Sequence, residues 1–114
     1  MLEPTLIIYQ LDMEGTMISK LFGQAGYFKN HPVITLAFAE LLVRKRVKMI
    51  CLETPSPDQY PFEVHKYLFK NKILVTENLT NVEQLLNVDS FEVIALPLHI
   101  RADSSVARVI ARVR

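Results

Sequence analysis

The sequence predicts an α/β domain built on a mixed, partly parallel sheet with crossover helices. Two observations predict it. Short apolar runs of strand character recur at residues 5–11 (TLIIYQL), 47–53 (VKMICLE), 72–76 (KILVT) and 90–98 (SFEVIALPL). Segments with helical spacing or helix-start signals separate them, and strands that alternate with helices call for crossover connections. The length of 114 residues and mass of 13.1 kDa suit one domain.

The elements follow in order. Residues 5–11 are rich in β formers and read as a strand. Residues 12–30 hold Gly15, Gly23 and Gly26 and show no clean period, so they read as loop with at most a short helical turn. Thr35 is placed to cap a helix reaching about Arg46. Phe38, Leu41 and Leu42 sit at helical spacing, and Arg44, Lys45 and Arg46 fall in the last turn, where cations suit the carbonyl end. Residues 47–53 form a buried-type strand that runs into TPSPD, where two prolines and Asp58 stop regular structure. Pro61 suits a first helical position, with FEVHKYLFK continuing the helix. Residues 72–76 return to strand. Thr80 with Glu83 has the capping-box spacing and is expected to open a short helix, NVEQLL. Residues 90–98 and 106–113 close the chain as an antiparallel pair. In the last strand Val109, Ala111 and Val113 share one side, and Arg108, Ile110 and Arg112 the other.

Composition narrows the function classes. Half of the residues are hydrophobic and 22% are charged, which suits a folded chain. Lys plus Arg is 13 and Asp plus Glu is 12, for a net charge of +1, so no electrostatic footprint for nucleic acid or an anionic membrane follows. The apolar runs are too short to span a bilayer, and the first residues lack the pattern of a signal peptide. Cys51 is the single cysteine, which excludes an intrachain disulfide and a cysteine-rich zinc module. The expectation is a reduced, cytoplasmic protein.

Ligands in open α/β sheets favour the loops at the carboxyl ends of the strands. Two such loops stand out: Glu53-Thr54-Pro55-Ser56-Pro57-Asp58, and Glu77-Asn78-Leu79-Thr80-Asn81. His65 lies on the helix between them, twelve positions before Glu77, and the path of helix, loop and strand can bring the two together at one end of the sheet. Imidazole nitrogen and carboxylate oxygen are both ordinary zinc or manganese donors. The residues alone leave plainer readings open. His65 stands one turn from Leu68 and Phe69 and reads equally as a half-buried packing residue. Glu77 suits the approach to the next helix start, and Glu53 and Asp58 suit a turn. His31 and His99 read as structural histidines, His31 in an exposed loop, and Cys51 as a small buried hydrophobe.

The order of YFKNHP, a helix, VKMICLETPSPD, FEVHKYLFKNKILVTENLTN, VIALPLHI and a final strand resembles the C-terminal half of the cyclase-type family that contains the kynurenine formamidases (arylformamidases). These are metal-dependent amide hydrolases with a swivelling β/β/α domain. The resemblance runs from about Ser19 to the end and is strongest over residues 27–100, while residues 1–18 match poorly. It implies that His65 and Glu77 are metal ligands; Glu53, Ser56, Asp58 and Asn78, in the same two loops, are candidates to support them. It implies zinc or manganese as the metal. The family signature HxGTHxDxPxH, which supplies the remaining ligands and a catalytic histidine, has no counterpart here. The family's G-x-D before TPS is Cys51-Leu52-Glu53, the glycine-bearing turn before the last strand is replaced by RADSS, and Ile18 falls where the family usually has tryptophan.

The expectation is therefore a single truncated domain over residues 1–114: a fragment of a metal-dependent amide hydrolase that keeps two ligands, holds metal weakly or not at all, and is inactive alone. No catalytic residue is assigned. Its substrate, if active, is a small-molecule amide. The alternatives are one half of a split hydrolase, whose N-terminal half is another polypeptide, and a non-catalytic binding or scaffold module that self-associates as a homo-oligomer.

Overall fold

The computed structural model describes the backbone of residues 6–9, and residues 31 and 33–113. The loop reading of residues 12–30 lies outside the described residues. The chain divides into two compact units, Met1–Val82 and Glu83–Arg114. The architecture is α/β, as the alternation of elements predicts.

In the first unit β1 (Leu6–Tyr9), β2 (Met49–Leu52) and β3 (Leu74–Thr76) form a parallel sheet in the order β1-β2-β3. β2 is central, pairing Ile7 with Ile50 on one side and Ile50 with Val75 on the other. Ile50, Cys51 and Leu52 are completely buried, which explains why this strand reads as a continuous apolar run rather than an alternating one. Helix α1 (Leu36–Arg44) precedes β2, and helix α2 (Glu63–Lys70) links β2 to β3.

Thr35 caps α1 as expected: its backbone is extended, and its hydroxyl accepts the Phe38 N–H at 3.1 Å. Both helices end by the same device. Arg46 (φ 57°) and Lys72 (φ 61°) turn left-handed just past the helix. The Val47 N–H then donates to the Leu42 carbonyl at 3.1 Å, and the Ile73 N–H to the Leu68 carbonyl at 2.9 Å. Each bond pairs two buried residues and sends the chain into the next strand. The core joins both helices to the sheet through Ile34, Ala39, Leu42, Val47, Ile50, Leu52, Val64, Leu68 and Ile73.

Two expected starts differ. Pro61 is not the first helical residue of α2. Phe62 adopts a left-handed conformation (φ 63°) as the residue before the helix, so the helix begins at Glu63. Thr80 does not open an α-helix. Asn81 is left-handed (φ 62°) and stands between Thr80 and a single 3-10 turn at Val82–Leu85.

In the second unit β4 (Phe91–Pro97) and β5 (Ala107–Val113) pair antiparallel as a separate two-stranded ribbon. The parallel and antiparallel pairings expected of one mixed sheet thus occur in two sheets among the described residues. The register sets Phe91 opposite Val113, Val93 opposite Ala111, Ala95 opposite Val109 and Pro97 opposite Ala107. One face of the ribbon is therefore apolar throughout. The other carries Glu92 opposite Arg112, joined by an exposed ion pair at 3.0 Å. Among the described residues no helix is long and apolar enough to cross a membrane.

Candidate functional site

Adjacent parallel strands end at the same edge of a sheet, so the loops after β2 and β3 are neighbours. They are zipped together: the Leu79 N–H donates to the Leu52 carbonyl at 2.9 Å, and the Asn78 N–H to the Thr54 carbonyl at 3.0 Å. Glu77 is thereby held beside the TPSPD loop. That loop is braced from within, because the Thr54 hydroxyl donates to the Ser56 carbonyl at 3.0 Å. Asp58 then accepts the Val64 N–H on Oδ2 at 2.8 Å, which satisfies one of the unpaired donors at the start of α2.

His65 is the next residue on α2, and its ring sits between two carboxylates. Nδ1 is 2.9 Å from Asp58 Oδ1, and Nε2 is 2.9 Å from Glu77 Oε1. Ser56 Oγ lies 3.3 Å from Nδ1 and accepts the Asp58 N–H at 3.3 Å. Aromatic rings close around the imidazole, with Phe62 edge-on at 5.9 Å and Phe69 tilted at 5.4 Å. Left-handed Phe62 supplies one of these rings and also meets Tyr60 edge-on at 6.1 Å.

The cluster lines a cavity of about 450 Å³, together with His31, Pro55, Gln59 and Tyr60. His31 corrects the expectation of an exposed loop residue. It is 5% exposed, in a segment pinned where the Ile34 N–H donates to the Pro57 carbonyl at 2.8 Å. Of the other expected partners, Ser56 and Asp58 reach His65. Half-buried Glu53 and exposed, left-handed Asn78 (φ 59°) are not among the described residues that line the cavity. His99 is exposed.

The pair of carboxylates raises the affinity of His65 for a proton. The hydrogen bond to Glu77 contributes most, partial burial opposes it, and Asp58 adds to it. The folded-state pKa lies above the unfolded value of about 6.5, so this group's contribution to stability is fully present below about pH 6.5. It is lost as pH rises through the folded-state value. Thermal melts of the chelator-treated chain are expected to fall across that window relative to His65→Gln; parallel pH profiles for the two proteins would contradict the assignment. The Cys51 thiol is also pushed up, to about 11, chiefly by burial, so it is inert near neutral pH.

The chemistry of the donor set is specific in part. A metal-binding histidine usually has a carboxylate at its second ring nitrogen, and Asp58 Oδ1 stands 2.9 Å from His65 Nδ1. Nε2 and Glu77 Oε1 then present two donor atoms side by side. Among the described residues, however, no group of three or more His, Cys, Asp or Glu side chains is placed to hold a metal ion. A catalytic zinc centre takes three protein ligands and an open position. The described donors fit one side of such a centre and not a whole one.

No protein-family model matches the chain. An uncharacterized protein of Methanocaldococcus jannaschii is 34% identical over 97 residues, which cover 84% of this chain and 50% of that protein. The chain thus spans about half the length of the relative it matches.

Proposed function

We propose that this chain is the part of a metal-dependent amide hydrolase, resembling the kynurenine formamidases, that contributes two ligands, His65 and Glu77, to a centre it does not complete. The observation that carries the reading is the 2.9 Å approach of His65 Nε2 to Glu77 Oε1 at the rim of the cavity, with Asp58 behind the ring. A divalent ion, zinc or manganese, would supply polarisation of a water and of the amide carbonyl. The chain's own residues orient the imidazole, hold the carboxylate beside it and flank the ring with Phe62 and Phe69. The missing ligands and the general base come from a second segment or polypeptide of the HxGTHxDxPxH type. A cytoplasmic setting accords with the inert, buried Cys51.

An aryl formamide assay tests this. The chain with zinc or manganese is expected to show no turnover. Co-expression with a polypeptide carrying an HxGTHxDxPxH segment is expected to produce turnover that His65→Ala or Glu77→Ala abolishes. Turnover in the mixture that survives both substitutions would overturn the proposal.

A second reading draws on the ribbon. Its one face is apolar along the whole register from Phe91–Val113 to Pro97–Ala107. A two-stranded ribbon is marginal in water on its own, so that face needs a cover. A second copy of the chain, laying the same face against it, is one such cover and yields a non-catalytic self-associating module. Sedimentation is expected to show a dimer that Val93→Glu dissociates; a monomer at high concentration would rule this reading out.

A further inference from the structure

We propose that Asp58 fixes the tautomer of His65, placing the proton of the neutral ring on Nδ1 and leaving the Nε2 lone pair facing Glu77 and the cavity. This deepens the ligand reading given above, and its functional meaning rests on that reading.

Two carboxylates compete for the single N–H of a neutral imidazole, one at each nitrogen and both at 2.9 Å. Distance does not separate them, but their surroundings do. The Asp58 side chain is 9% exposed, against 30% for Glu77. A buried carboxylate deprived of a donor loses more than one that water can reach. Asp58 is also fixed in place, since Oδ2 accepts the Val64 N–H at 2.8 Å and its own N–H donates to Ser56 Oγ at 3.3 Å. Its Oδ1 is aimed at Nδ1 by the start of the helix that carries His65. Asp58 thus joins two tasks, capping α2 and setting the ring, and one carboxylate oxygen serves each.

That division of labour makes Asp58→Asn a sharp test. Asparagine has one acceptor oxygen. The Val64 N–H can only donate, so the oxygen turns to it, and the amide NH2 turns to Nδ1. Nδ1 must then accept, and the ring proton moves to Nε2. A near-isosteric change therefore inverts the tautomer and blocks the nitrogen that faces Glu77.

The experiment is 15N–1H correlation NMR of the imidazoles in the full chain, chelator-treated, at a pH above the titration of His65. The expected result is a protonated Nδ1 and an unprotonated Nε2 in the wild type and in Glu77→Gln, with the two exchanged in Asp58→Asn. A wild-type ring protonated on Nε2 overturns the proposal, and so does an Asp58→Asn protein that keeps its proton on Nδ1. If Asp58→Asn does not fold, the unmodified ring decides: a proton found on Nε2 assigns control to Glu77 and overturns the proposal. No metal enters the measurement. A chain with the expected tautomer whose co-expressed mixture turns over despite His65→Ala and Glu77→Ala therefore contradicts the proposed function and leaves this inference standing.

Discussion

Leu68→Ala is expected to destabilise the chain by about 2–5 kcal/mol, the range for emptying a leucine site in a packed core. Leu68 is completely buried in α2, where it packs in the cluster that joins both helices to the sheet. Its carbonyl also receives the Ile73 N–H that ends the helix and starts the approach to β3. A small domain holds only about 5–15 kcal/mol in total, so the variant sits near the threshold of folding. Urea unfolding followed by circular dichroism reads the effect. Leu36→Ala, at the 41% exposed first position of α1, is the control and is expected to change stability by less than about 0.5 kcal/mol. Equal effects of the two would mean that Leu68 does not sit in a packed interior. The substitution also reaches the site, because Leu68 lies one turn from His65 on the same helix and the strand after it leads to Glu77.

His65→Ala is expected to remove divalent-metal binding and to cost about 1–3 kcal/mol near pH 6. The cost is that of stripping a buried carboxylate of a hydrogen-bond donor. Asp58 is 7% exposed and would keep only the Val64 N–H and other local contacts, while Glu77 would lose its partner on Nε2. The difference from the wild type is expected to shrink as pH rises and the imidazole loses its second proton, in keeping with the upward shift of His65. His99→Ala, at an exposed position of the second unit, is expected to alter neither property. An effect on metal binding from His99 and none from His65 would move the site elsewhere.

Much of the first unit could be read from the residues because its signals are local. Thr35 announces the start of α1, and the unbroken apolar run of β2 reflects burial on both faces. The meeting of His65 and Glu77 was also legible. A helix between two parallel strands returns the chain to the same edge, and that topology brings together residues twelve positions apart. Other features left no local mark. Helix ends usually turn on glycine, and here Arg46 and Lys72 do it, so the pattern gave no warning. His31 is buried, and nearby Ile34 bonds to Pro57, distant in sequence. The double role of Asp58 appears only once the loop is folded back on α2, because a carboxylate after two prolines reads equally well as a turn residue.

Calorimetric titration of the chelator-treated chain with zinc shows whether His65 and Glu77 bind an ion together. Two donor atoms hold the ion weakly, and binding must displace the proton that His65 retains. Weak binding at one ion per chain is expected, with proton release, and is lost in both His65→Ala and Glu77→Ala. Binding that survives both substitutions, or tight binding of the kind a complete centre gives, would contradict it.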